Sequence, residues 1–99
     1  MAYKESFQEQ TNIKVREPKK YQVIMLNDDF TTMEFVVSVL VDIFKKDRVT
    51  AEKLMMFVHQ NGRAVVGTYS LDMAQTKTKE ALRRAKAEGF PFRMLVEEA

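Results

Sequence analysis

Cysteine and tryptophan are absent from the 99-residue chain, histidine occurs once, proline twice and glycine three times. Without cysteine there is no disulfide framework, no thiolate zinc site and no thiol nucleophile. No Walker loop, G-x-S-x-G elbow or G-x-G-x-x-G turn is present. The longest stretch free of charged side chains, Leu54–Gly62, is nine residues, against the roughly 20 that a membrane span needs. Met1–Gln10 has no apolar core and already carries Glu5 and Glu9, which argues against a secretory signal or an intact transit peptide. A single histidine, with no E-x-x-H pair and no D-x-D loop, gives little on which to build a metal centre. No metal and no cofactor are expected.

What is present is the composition of a folded domain, 45% hydrophobic and 30% charged, at a length with room for one core. The formal net charge of +2 is unevenly placed. Lys4, Lys14, Arg16, Lys19 and Lys20 outnumber Glu5, Glu9 and Glu17 in the first twenty residues, and the rest of the chain is balanced. That first segment is polar and aperiodic, with Gln8, Gln10, Thr11 and Asn12 ahead of Pro18. We therefore expect a flexible arm over 1–20 and a single domain over 21–99. The basic run Lys77–Lys86 is diluted by Glu80 and Glu88, so neither a nucleic-acid nor a membrane partner is expected. A cytoplasmic location is the default for such a chain.

The order of elements is legible from periodicity and punctuation. Tyr21–Leu26 is apolar and rich enough in β-branched and aromatic residues for a buried strand. Thr31 as N-cap with Glu34 three residues on predicts a capping box, with Phe30 and Phe35 as its hydrophobic staple. The spacing predicts a helix from there to about Lys46, ending in Lys45 and Lys46, the sign its dipole favours. A second helix is expected from Thr50 to Gly62, a second strand over Arg63–Tyr69, and a third helix capped by Ser70 and closed by Gly89. Phe90–Val96 alternates as a third strand. The order β-α-α-β-α-β predicts an α+β two-layer sandwich with a three-stranded antiparallel sheet.

Two features exceed what local structure requires. Asn27, Asp28 and Asp29 follow a buried strand and precede a helix N-terminus. They serve either as turn residues that feed the cap or as acceptors aimed at a cation or a set of amide donors. Met55, Val58 and His59 stand at i, i+3 and i+4 and share a helix face. That face is either core with a satisfied histidine, or the floor and rim of a pocket if it turns toward the Asn-Asp-Asp loop.

The stretch YQVIMLNDDFTTMEFVVSVL (21–40), with LMMFVHQNGRAVVG (54–67) and the AQTK run at 74–77, resembles the ClpS family. These are non-enzymatic adaptors that deliver N-degron substrates to the Clp AAA+ unfoldase–protease. The likeness covers about four-fifths of the chain, from Tyr21 to the end. It implies binding of substrates with N-terminal Leu, Phe, Tyr or Trp. By the matching positions, Asn27, Asp28 and His59 would engage the α-amino group and first peptide unit, with Asp29 shaping the loop and Thr31 and Thr32 lining the rim. Met33, Val36, Met55, Val58 and Phe92 would wall the side-chain cavity, with Met33 at the position linked to rejection of β-branched residues. Asp72 and Lys77 match positions that contact the N-terminal domain of a ClpA- or ClpC-like unfoldase, and the adaptor would act as a monomer. Thr32 stands where proline is common in the family, Phe92 where an aliphatic is usual, and Asp72 where Glu is usual. A general interaction module is the competing expectation, since the C-terminal domain of a ribosomal stalk protein has a similar element order. It would leave Asn27–Asp29 and His59 idle. A metal-dependent hydrolase is the third, and would need a bound metal.

Overall fold

The computed structural model describes residues 18–99, so the arm expected over 1–20 lies outside the described residues except for its last three. Among the described residues, strand β1 (Tyr21–Leu26), helix α1 (Met33–Asp42), helix α2 (Arg48–Asn61), strand β2 (Arg63–Tyr69), helix α3 (Leu71–Ala87) and strand β3 (Arg93–Glu98) follow in that order. The sheet is antiparallel throughout, in the order β2-β1-β3. The expected two-layer α+β sandwich is thus the observed fold. Beyond the strand proper, Lys20 is held by its carbonyl, which accepts from the Ala99 N–H at 2.8 Å.

Central β1 alternates between two environments. Val23 and Met25 face the helices and are fully buried among Phe35, Val39, Leu40, Ala74 and Ala81. Alanine at 74, 81 and 85, all buried, lets the backbone of α3 lie close to the sheet. Ile24 points to the opposite face, where no helix packs, yet is only 1% exposed. Its cross-strand neighbours Val65 and Leu95 flank it, and an Arg63–Glu97 ion pair at 3.5 Å reaches between the two outer strands on that same face. One extra residue of β2, the buried Val66, is taken up between Val23 and Ile24 as a bulge. Gly67 follows at once, where a Cβ would stand 2.7 Å from the Tyr69 hydroxyl oxygen.

Several boundaries differ from expectation: β3 runs to Glu98 rather than Val96, and four others have a physical reason. The N-cap of α1 is Thr32, whose hydroxyl accepts from the Phe35 N–H at 3.1 Å. Thr31 is drawn into the preceding loop by Asp28, so no Thr31–Glu34 capping box forms, and Phe30, 76% exposed, makes no staple. Helix α1 stops at Asp42 rather than near Lys46. Burying Phe44 against Tyr69, with ring centroids 6.2 Å apart, turns the chain through Lys45 in the left-handed region at φ 58°. A cation does sit at this helix end, but it is Lys77 of α3, whose ammonium donates to the Ile43 carbonyl at 2.9 Å.

Helix α2 begins earlier than Thr50, at Arg48, because Asp47 accepts from both the Thr50 N–H and its hydroxyl. It ends as expected at Gly62, left-handed at φ 86°. Strand β3 starts at Arg93, not Phe90. The Phe90 N–H closes the end of α3 on the Ala85 carbonyl, and Phe90 and Phe92 pack their rings on Phe35 at 5.1 and 5.8 Å.

Candidate functional site

The site is assembled where β1 ends. The Asn27 N–H donates to the Gly62 carbonyl at 2.9 Å, which ties the loop after β1 to the C-terminal turn of α2. Gly62 in turn caps that helix by donating to the Val58 carbonyl at 2.8 Å. Two backbone bonds therefore bring Asn27–Thr31 beside Val58 and His59, residues some thirty positions apart in sequence.

Asp28 organises the loop. Its Oδ1 accepts from the Phe30 N–H at 2.8 Å and the Thr31 N–H at 2.7 Å, and its Oδ2 accepts from the Thr31 hydroxyl at 2.7 Å. Burial by itself pushes this carboxyl up. The Thr31 hydroxyl, the Thr31 and Phe30 N–H groups and the positive charge of Arg93 outweigh that and hold it below the usual value of 3.8. The group is an anion at neutral pH. A carboxylate offers about four lone-pair sites, so after three internal hydrogen bonds Asp28 keeps acceptor capacity on Oδ2.

A cavity of about 190 Å³ opens between this loop, the start of α1 and the end of α2. Asn27, Asp28, Asp29, Thr31 and His59 form its polar side. Met33, Val36, Met55 and Val58 form its apolar side, the two valines buried and Met33 45% exposed. For scale, an apolar cavity of about 150 Å³ holds a benzene ring. The volume suits one large side chain rather than an extended ligand, and the polar groups lie at one edge of it.

Nine of the residues expected at a site therefore line one cavity. Thr32 is not among them, since its hydroxyl is committed to the α1 cap. Phe92 is not among them either: it is buried, with its ring edge-on to Phe35. Asp72 is exposed in the first turn of α3, and Lys77 is half-buried one turn on, over the Tyr69 ring at 5.6 Å. The sequence reading missed Arg93. It pairs in register with Leu26 at the site end of β1, which is how its charge reaches Asp28. A basic residue at the first position of a strand beside the loop was the available signal. Among the described residues, no three His, Asp or Glu side chains gather closely enough to hold a metal ion. Nor is any described helix long and apolar enough to cross a membrane.

A cavity the size of one large side chain, edged by anionic and amide groups, thus opens on a small α+β sandwich. The family model of the ATP-dependent Clp protease adaptor protein ClpS matches residues 16–95. The ATP-dependent Clp protease adapter protein ClpS of Neisseria meningitidis serogroup B is 51% identical over 81 residues, 82% of this chain and 81% of that protein. Its namesake from Burkholderia cenocepacia is 48% identical over 86 residues, 87% of this chain and 83% of that protein. A solved structure of Agrobacterium tumefaciens ClpS2 bound to L-phenylalaninamide matches with TM-score 0.81 and 42% identity, over 84% of this chain and 100% of that one. The chain belongs to the ClpS family of Clp protease adaptors.

Proposed function

We propose that the cavity receives the first residue of a substrate protein bearing N-terminal Leu, Phe, Tyr or Trp, and that the chain delivers such substrates to a Clp AAA+ unfoldase in the cytoplasm. The observation that carries this reading is the pairing of a single-side-chain cavity with the Asp28 edge. L-Phenylalaninamide, the ligand of the Agrobacterium relative, combines a free α-amino group, one aromatic side chain and one amide unit. The proposed occupant of the present cavity has the same three parts. The aromatic or leucyl side chain would lie against Met33, Val36, Met55 and Val58. The ammonium and first peptide unit would meet Asn27, Asp28 and His59, in a loop that Asp29 helps to shape.

The magnitudes support an affinity in the useful range. Burying a Leu or Phe side chain contributes roughly 1.5–3 kcal/mol, and each hydrogen bond to a charged group about 1.5–3 kcal/mol. Two or three such bonds bring the sum toward the ~8 kcal/mol of a micromolar complex, before association costs. Met33 at the mouth would disfavour Val and Ile, whose branch at Cβ widens the side chain where it enters. The contact with the unfoldase N-terminal domain would fall on the first two turns of α3, at Asp72 and Lys77, with the adaptor acting as a monomer and without cofactor or catalytic group.

Titration of fluorescent peptides that differ only in residue one tests the reading. Phe and Leu should bind at micromolar concentrations, Val and Lys at least tenfold more weakly, and acetyl-Leu weakest because it lacks the ammonium. Affinity indifferent to the first residue, or to acetylation, would refute it.

A further inference from the structure

A second depression adjoins the first. A groove of about 400 Å³ between α1 and α2 is lined by Met33, Val37, Met55 and Met56, together with Glu34 and with Arg48 and Glu52, which pair at 3.1 Å. Met33 and Met55 also line the first-residue cavity, so two flexible thioether side chains form the partition between cavity and groove. The other sides of the cavity are the polar loop and the buried Val36 and Val58. The methionine partition is thus its apolar way out, and it leads onto an exposed surface on which Met33 is 45% and Met56 41% accessible.

We infer that this groove takes the side chain of the third residue of the substrate, so that the protein reads positions one and three together. The inference rests on the first-residue reading of the cavity. In an extended peptide, side chains alternate, and those of residues one and three point to the same side roughly 6.5–7 Å apart. Residue two faces away and is left to solvent. The groove favours an unbranched or γ-branched apolar side chain such as Leu or Met, since methionines adapt their shape to the occupant. Arg48 and Glu52 are paired with each other, and the exposed Glu34 at the groove disfavours an acidic occupant.

The test uses the full chain and four-residue peptides labelled at the C-terminal lysine: Phe-Ala-Ala-Lys, Phe-Leu-Ala-Lys and Phe-Ala-Leu-Lys. Leu at position three should tighten binding about threefold to tenfold, the worth of a partly buried leucyl group, and Leu at position two should not. In Met56→Glu that gain should vanish while the affinity for Phe-Ala-Ala-Lys is unchanged, because Met56 lies outside the first-residue cavity. Met56→Ala, with a smaller perturbation of the surface, should reduce the gain in the same direction. Equal binding of all three peptides overturns the inference, as does a position-three gain that persists in Met56→Glu. If Met56→Glu instead weakens capture by the unfoldase or abolishes self-association while the peptide series stays flat, the groove belongs to a protein partner and the inference falls. Failure of Phe-Ala-Ala-Lys itself to bind is the separate result that removes the first-residue reading and this inference with it.

Discussion

One carboxylate, that of Asp28, both builds the loop and supplies its charge. Three hydrogen bonds from Phe30 and Thr31 fold the loop around it, and the residue lines the cavity. Asp28→Asn separates the two roles. The amide oxygen can still accept the two N–H groups, and the Thr31 hydroxyl can reverse to accept from the amide nitrogen. The loop is then retained and the negative charge lost. Affinity for L-phenylalaninamide should fall roughly tenfold to a hundredfold, the worth of one charge-assisted hydrogen bond, with little change in Tm. Calorimetric titration of both proteins checks this, and unchanged affinity would assign the ammonium to another group.

The same residue sets an acid limit. Its folded-state value lies below 3.8, so the stabilisation it gives is complete above the unfolded-state value and is lost as the pH falls through the folded one. Stability measured by denaturant titration should therefore not decline on account of Asp28 between pH 7 and 5. It should decline below pH 4, and the Asp28→Asn variant should lack that part of the decline. A drop centred near pH 5–6 that Asp28→Asn removes would contradict the hydrogen-bonded geometry of the loop.

Among the elements, the coupling of α1 to α3 is the least visible in sequence. Helix α1 ends without a cation of its own in its last turn, and Lys77 arrives from α3 to satisfy the Ile43 carbonyl while its ammonium lies over Tyr69. Lys77→Met keeps the aliphatic stem and removes the bond. The expected cost is about 1–2 kcal/mol, typical of a partly exposed hydrogen bond with a charged donor, read as a Tm several degrees lower. Peptide affinity should be unchanged, because Lys77 is remote from the cavity lining. An unaltered Tm would show that solvent replaces the contact at no cost. Loss of delivery in a Lys77 variant would then have two causes to separate, whereas Asp72→Arg probes the proposed unfoldase contact without disturbing α1.

This coupling also explains which parts of the molecule the sequence disclosed. Gly62, Ser70 and Gly89 punctuate locally, and the elements they bound are where periodicity puts them. The start of α1 was misread by one residue because Asp28 captures Thr31, a loop contact that competes with the cap the sequence pattern favours. Its end was misread because burial of Phe44 and the reach of Lys77 are tertiary. At the site, the shared face of Met55, Val58 and His59 follows from helical spacing. Its meeting with Asn27–Asp29 depends on the Asn27–Gly62 bond, and Phe92 is kept from the lining by its packing on Phe35. Neither has a local signature.

At the scale of the whole molecule, the described body spans residues 18–99. The cavity, the core and both edges of the loop lie within it, and its first residues are fastened by the Lys20–Ala99 bond and a Lys19–Glu98 pair at 3.6 Å. The charge excess lies at this fastening: residues 1–17 set Lys4, Lys14 and Arg16 against Glu5, Glu9 and Glu17, the residues after Lys20 are neutral in sum, and Lys19 and Lys20 carry the +2. The segment of about 17 residues ahead of the body would reach up to roughly 55–60 Å if extended. Deleting residues 1–17 should leave Tm and the affinity for Phe-bearing peptides unchanged. It should lower the rate at which an unfoldase–protease degrades a Phe-bearing reporter in the presence of the adaptor. Following degradation of that reporter with full-length and truncated chains at saturating concentration distinguishes hand-off from binding. Equal degradation rates would return the whole activity to the body, and α3 would then be the surface on which to look for the hand-off contact.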